Sequence, residues 1–336
     1  MKNYFITVNY RSNDLTAKCC KRTFDAIGDD CFYIIVDNSE LLGNQEKLIS
    51  SLNGYGLDKV TTDKDIFFQG DFNVLVLTAL RNGGFSYGNN IAINLMLESI
   101  DAHPDDIITL INSDAYIESG FSYLKNNIVD NCIYGATLIS SDSRLIQTQG
   151  GSEFIDFRIN TKNINEGLPV ELGRKDIFAV NGYINGAFMS MRKRTLTTLG
   201  IMDESYFMWC EEIDWCLTAK KLGIEMFCVP NLYVIHVIGG ASSKDEIKSF
   251  LGRKSKRNSF DRFVIRGYYH FRNKIVVYRK HFNNNFLKFY YSVFCEFLVR
   301  SVGVVLYDSN KLKRVGVMLK GIYHGIINNL GRNDSI

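Results

Sequence analysis

The sequence predicts an α/β protein, with a mostly parallel central sheet flanked by helices and a basic, mainly helical C-terminal extension. Three observations predict it. Strand-like apolar runs alternate with helix-like stretches through the first 115 residues, the pattern of βαβ units. Three of those runs end in polar tips, at Asn9, Asp37 and Asn112-Ser113-Asp114. In open parallel sheets the ligand lies beyond such carboxyl ends. Finally, charge is unevenly divided. Residues 1–243 hold 20 Lys and Arg against 30 Asp and Glu, whereas 244–336 hold 19 against 6.

Taken in order, residues 4–9 read as a strand, 15–27 as a helix and 32–36 as a second strand rich in β-branched residues. Residues 44–52 follow as a helix and 74–77 as a short strand. Asn82-Gly83-Gly84-Phe85-Ser86-Tyr87-Gly88-Asn89-Asn90 reads as a glycine- and asparagine-rich loop, with a helix over 91–100 behind it. Residues 106–111 form a buried-strand run. Then 134–139 is a strand, 147–162 loop and edge material, and 184–191 a strand whose small residues allow close backbone approach. A helix over 192–199 stops at Gly200. Residues 225–229 and 232–236 read as two strands, and Gly239-Gly240-Ala241-Ser242-Ser243 as a flexible tip. A catalytic domain over 1–243 is expected, divided near residue 115, with a separate module over 244–336.

The chemistry concentrates in one stretch. Glu211, Glu212 and Asp214 fall within four positions among Met208, Trp209, Cys210, Ile213 and Trp215. Carboxylates in apolar surroundings are costly unless paired, hydrogen-bonded or bound to a cation, and burial raises their pKa toward the range of a general base. The same acids also open a helix running to Gly223, where the helix dipole alone would favour them. Asp114, ending a strand across from the glycine-rich stretch, is suited to a divalent cation bridging phosphates, with His236 as its nitrogen partner.

These motifs, in order, resemble glycosyltransferase family 2, enzymes of the GT-A fold, in its bacterial rhamnosyltransferase and galactofuranosyltransferase branch. The resemblance covers about residues 3–280. It rests on Thr7-Val8-Asn9-Tyr10, Val36-Asp37-Asn38-Ser39, the stretch from Asn82 to Asn90, Leu110-Ile111-Asn112-Ser113-Asp114, Asn185-Gly186-Ala187-Phe188-Met189, Phe207-Met208-Trp209-Cys210-Glu211-Glu212-Ile213-Asp214, His236, and Tyr268-Tyr269-His270-Phe271-Arg272-Asn273-Lys274. It implies that Val8, Asn9 and Asp37 hold the nucleobase. It implies that Asn82, Gly84, Phe85, Gly88 and Asn89 lie along the ribose and diphosphate. Asn112, Ser113 and Asp114 stand where the family has its D-x-D element, with an amide in place of the first acid. Asp114 and His236 would hold Mg²⁺ or Mn²⁺; His236 follows Glu212 by 24 residues, the branch's spacing for a metal-binding His. Glu212 would be the catalytic base, with Glu211 the alternative, and Asp214 would orient the base or bind acceptor. Asn185, Gly186, Ala187 and Trp209 would face the acceptor. The implied reaction is inverting transfer, best guessed as L-rhamnose from dTDP-rhamnose to a lipid-linked surface polysaccharide such as O-antigen. Hexosyl or galactofuranosyl transfer from a UDP-sugar is the alternative.

Residues 286–306 are apolar except for Lys288, Ser292, Glu296 and Arg300, which recur every fourth position on one helical face. The run is long enough for a bilayer span, but its charges argue against one. Two readings stay open: helices lying on the inner face of the cytoplasmic membrane, or a subdomain packing on the catalytic domain or on a second subunit as a homodimer. Eight cysteines without a C-x-x-C pair, and no signal peptide, suit a cytoplasmic protein held peripherally at the inner membrane. A nucleotidyltransferase would want a glycine-rich loop after the first strand, where Arg11-Ser12-Asn13-Asp14 stands. A non-catalytic polyanion- or nucleic-acid-binding module would leave the acids at 37, 114 and 211–214 without a use.

Overall fold

The structure, a computed structural model, describes residues 1–28, 30–62, 73–154, 159, 162–237, 246–250, 253–257, 260–282 and 284–336. The glycine-rich tip at 239–243 and the expected boundary after residue 243 lie outside the described residues.

A five-strand parallel half comes first along the chain. β1 (Asn3–Asn9), α1 (Asn13–Ile27), β2 (Cys31–Asp37), α2 (Asn44–Gly54), β3 (Val60–Thr62), β4 (Val74–Thr78), α3 (Gly84–Glu98) and β5 (Ile107–Ile111) give the order β3-β4-β2-β1-β5, all neighbours parallel. The second half is mixed. It contains β6 (Ala115–Ser119), α4 (Phe121–Asn127), β7 (Cys132–Ser140), β8 (Ile146–Thr148), β9 (Phe178–Ala179), β10 (Phe188–Arg192), α5 (Lys193–Leu199), α6 (Glu211–Lys221) and β11 (Glu225–His236). β10 runs antiparallel to both β5 and β7, and β11 pairs parallel with β7 and antiparallel with β6. The parallel order read from the βαβ pattern therefore ends at β5, because the later strands are not joined by regular crossover helices.

Strand alternation feeds two cores. Tyr4, Ile6, Ile34 and Val36 face one, with Ala92, Ile93, Met96 and Ile213; Phe5, Tyr33 and Ile35 face the other, with Ala17, Leu48, Leu52 and Phe121. The sheet is thus covered on both sides, as parallel strands require.

Three sequence expectations are corrected. The glycine- and asparagine-rich stretch is not a loop: from Gly84 it is already helix α3. Its buried asparagines lie against the protein rather than solvent, so their weak helix propensity is overridden by packing. Residues 184–187 are not strand; only Phe188–Arg192 is. The two strands expected at 225–236 are one, with a register shift between Val229 and Tyr233 around Pro230, which lacks a ladder donor. β6 and α4 had no clear signal, their residues being too few and too mixed for periodicity to show.

Beyond a hairpin, β12 (Glu246–Phe250) with β13 (Arg253–Arg257), three helices close the described chain: α7 (Phe260–His281), α8 (Phe286–Tyr307) and α9 (Lys311–Ile326). α7 is heavily buried, packing against α6 and α9. α8 buries Phe289, Val293 and Val304, and one residue of its polar stripe, Glu296, bonds to α7. Glu296 meets His270 at 2.7 Å and Lys274 at 2.6 Å on α7, and Arg300 adds a bond to Glu296 at 3.0 Å. Leu287, Tyr291, Phe294, Val299 and Val302 are left on the outer face, all exposed.

Candidate active site

The tips of β1, β2 and β5, the start of α3, the 184–187 segment and the start of α6 surround a cleft of about 730 Å³. Val8, Asn82, Gly84, Phe85, Asn112, Ser113, Asp114, Asn185, Gly186, Ala187, Trp209, Glu211 and Glu212 line it. The structure therefore brings most of the sequence-derived site residues together, including acids separated by nearly a hundred positions.

Asp114 closes the turn between β5 and β6. Pairing of β6 with β11 sets His236 opposite Ala115, and His236 Nε2 lies 3.2 Å from Asp114 Oδ1. Gln147 holds His236 at two points: its amide nitrogen donates to the His236 carbonyl at 2.9 Å, and its amide oxygen lies 2.8 Å from Nδ1. A proton on Nδ1 shared with that oxygen leaves Nε2 free to bind a cation, the arrangement found behind metal-ligating histidines. An oxygen and a nitrogen donor suit Mn²⁺ or Mg²⁺. Among the described residues no third His, Cys, Asp or Glu joins them. Two protein ligands leave coordination positions for phosphate oxygens, so the pair fits the cation that the resemblance implies.

Glu211 and Glu212 open α6. Glu212 is half-buried on the cleft wall; an added Cβ on Gly186 would stand 3.6 Å from its Cβ. Glu211 is buried, and its Oε2 has no hydrogen-bond partner among the described residues. Burial raises the pKa of both, and for Glu211 the neighbouring Glu212 charge raises it further.

The segment before them is strained. Phe207, Trp209 and Cys210 all have positive φ, at 64°, 63° and 74°. Two neighbours hold it. Phe85 N donates to the Phe207 carbonyl at 3.1 Å, which is reachable because Gly84, at φ 88°, has no side chain; a Cβ there would stand 1.7 Å from that oxygen. From α7, the buried Asn273 amide donates to the carbonyls of Tyr206, Met208 and Trp209 at 3.1, 2.7 and 2.7 Å. Beside it the buried Arg272 donates to the Tyr206 carbonyl at 2.6 Å and the Gly331 carbonyl at 2.5 Å. The Tyr268-to-Lys274 motif thus braces the acidic segment.

Several expected site residues lie elsewhere. Asp214 does not line the cleft. It accepts from Tyr206 at 2.9 Å and pairs with Lys280 at 2.9 Å and His281 at 2.6 Å, which ties α6 to α7. Its place on the helix, three residues past Glu211, turns it inward. Asn9 and Asp37 are buried behind the cleft in a polar network with Ser39 and Asn44, where Asp37 accepts bonds at 3.1, 2.6 and 2.8 Å. Asn38 reaches the cleft instead. Gly88 is a packing residue, since a Cβ there would meet Val8 at 2.6 Å. Asn89 bonds back to the Phe85 carbonyl within α3. Tyr10, Tyr269 and Arg332 line the cleft without having been singled out. Tyr10 and Tyr269 belong to motifs already noted, whereas no local signal marks Arg332.

No protein-family model matches the chain. Rhamnosyltransferase WbbL of Escherichia coli strain K12 is 26% identical over 164 residues, 46% of this chain and 60% of that protein. The dTDP-rhamnosyl transferase RfbF of Shigella flexneri is 24% identical over 264 residues, 76% of this chain and 81% of that protein. A crystal structure of GalNAc-T7 with UDP, GalNAc and Mn²⁺ superposes with a TM-score of 0.53 at 11% identity, over 70% of this chain and 44% of that one. The solved likeness identifies the fold as GT-A, and the curated relatives agree with the family resemblance read from the sequence motifs.

Proposed function

We propose that the chain is an inverting glycosyltransferase that moves a sugar from a nucleoside-diphosphate donor to a hydroxyl of a lipid-linked surface polysaccharide such as O-antigen. The donor is dTDP-L-rhamnose in this reading, supported by two curated relatives named for rhamnosyl transfer, one of them for dTDP-rhamnosyl transfer. The observation that carries the proposal is that Asp114, with His236 beside it, and Glu212 belong to one cleft of a GT-A fold.

In this mechanism Glu212 takes the proton of the acceptor hydroxyl as its oxygen attacks the anomeric carbon on the face opposite the departing diphosphate. Its raised pKa makes it a stronger base than an ordinary surface carboxylate. Glu211 stands behind it, and its pKa is raised too, by burial first and by the Glu212 charge second, so the two carboxyls titrate as a pair. Asp114 and His236 would hold Mg²⁺ or Mn²⁺, which when bound neutralises charge gathering on the leaving diphosphate. Asn185, Gly186, Ala187 and Trp209 flank Glu212 and would receive the acceptor, with the indole as a stacking surface.

The acceptor is assigned to a lipid carrier on two grounds. α8 buries Phe289, Val293 and Val304 and pairs Glu296 with α7, yet leaves a second apolar face outward, which suits a helix lying in the interface of the inner membrane's cytoplasmic leaflet. A second cavity of about 650 Å³ between α7 and α9 combines Val264 and Val317 with Lys313 and Lys320. It shares Ile265 and Ile336 with the cleft, so apolar and cationic surface adjoin the reaction site.

The test is thermal shift with dTDP, UDP and GDP, each with and without Mn²⁺, followed by transfer assays with the matching sugars. Selective stabilisation by dTDP is expected. Preference for UDP or GDP reassigns the donor, and no response to any nucleotide removes the proposal. Flotation of the full chain with anionic vesicles tests the membrane reading. Leu287→Glu with Val299→Glu should abolish flotation, whereas a soluble dimer that ignores vesicles would assign α8 to a second subunit.

A further inference from the structure

The proposed donor carries a diphosphate, yet Asp114, Glu211, Glu212 and Asp334 all line the cleft. Among the described residues the cleft is lined by a lone Lys or Arg, Arg332. It comes from the far end of the sequence, on the segment after α9. That segment is pinned in place by bonds on either side of the guanidinium-bearing residue. Gly331 N donates to the Ser205 carbonyl at 2.7 Å, buried Arg272 donates to the Gly331 carbonyl, and Asn333 N donates to the Tyr269 hydroxyl at 2.9 Å. The guanidinium itself is not buried: the side chain is 40% exposed. Its Nη1 stands 2.9 Å from both Glu40 oxygens and 3.2 Å from the Asn82 carbonyl, and its Nε 2.7 Å from Asp334. Asn82 lies two residues before α3, whose N-terminal end favours an anion.

We propose that Arg332 is a donor-binding residue that recognises the phosphate of the nucleoside diphosphate, and that Glu40 is its partner while the cleft is empty. This rests on the transferase reading and adds a binding residue to it. A guanidinium held by backbone tethers but reachable from solvent can exchange a carboxylate for a phosphate, which it binds in the same forked geometry. Glu40 follows the β2 tip and is exposed, so a phosphate that takes over Arg332 leaves Glu40 free to turn to water.

Calorimetric titration of the full chain with the preferred nucleoside diphosphate and Mn²⁺ tests this. Arg332→Ala should weaken binding roughly tenfold or more, the usual scale for losing a charge-assisted hydrogen bond. Glu40→Gln should bind as tightly as the native chain or more tightly, because it removes a competing negative charge. Unliganded melting curves report separately whether each variant folds. Arg332→Ala affinity within twofold of native overturns the proposal, and so does Glu40→Gln weakening binding as much as Arg332→Ala, since the ion pair would then be only a fastener. Failure of the native chain itself to bind any nucleotide removes the transferase reading, and this inference with it.

Discussion

Asn273→Ala probes how the acidic segment is held. The Asn273 amide has two protons for the carbonyls of Tyr206, Met208 and Trp209, and its oxygen accepts from Arg272 Nε at 2.7 Å. Truncation removes at least three hydrogen bonds in a site with no exposure, and at about 1 kcal/mol each the loss is about 3 kcal/mol. At roughly 2 °C per kcal/mol for a chain of this size, the melting temperature should fall by about 6 °C. The strain at Phe207, Trp209 and Cys210 would then be free to relax, carrying Glu211 and Glu212 with it. Nucleotide binding, which the proposed function assigns chiefly to the β-strand tips and α3, should change less than turnover. Turnover should fall at least tenfold, because general-base catalysis depends on placement. Thermal melting, calorimetry and a donor-turnover assay read the three effects. The reasoning is refuted if the melting temperature moves by less than 1 °C, or if nucleotide affinity collapses while turnover per bound donor stays intact.

Two further predictions concern the same region. Gly84→Ala would place a methyl 1.7 Å from the Phe207 carbonyl at φ 88°. It should cost at least about 2 kcal/mol from left-handed strain and overlap together, and it should impair nucleotide binding and turnover alike; native-like melting would count against the close approach. Glu211→Gln bears on pH. Glu211 holds its proton more tightly folded than unfolded, so its contribution to stability is present below the ordinary Glu range and lost as pH rises through the raised folded value. The variant should therefore melt above the native chain, by a margin that grows as pH rises above the ordinary Glu range; a margin independent of pH would show that burial does not strain this carboxylate.

The parallel half of the fold could be read from the sequence because each βαβ unit carries its own local signal: β-branched runs at 32–36 and 107–111, polar tips and amphipathic helices between them. The mixed half could not, since β6, β9 and β10 are short and owe their pairing to distant partners such as His236 opposite Ala115. Within the site, Asp114, Glu212 and the 185–187 segment were visible as chemistry-bearing residues at recognisable spacing. Asp37 and Asp214 carried the same chemical promise, but sequence says nothing of which way a side chain turns, and both spend their oxygens on buried neighbours. Gly84 to Asn90 was misread because glycine and asparagine signal a loop unless the surrounding fold encloses them. Arg332 was invisible for a different reason. Its relation to Asn82 and Glu40 spans some 250 to 290 positions, and only the packing of α9 on α7 brings it back to the cleft.

The account stands or falls on whether residues 114 and 212 serve one donor complex, and titrating the nucleoside diphosphate into the native chain, Asp114→Ala and Glu212→Gln, each with and without Mn²⁺, tests that most directly. The account predicts that Asp114→Ala loses the Mn²⁺-dependent gain in affinity, while Glu212→Gln keeps that gain and transfers no sugar. Undiminished Mn²⁺-dependent binding in Asp114→Ala, or full transfer by Glu212→Gln, would contradict it.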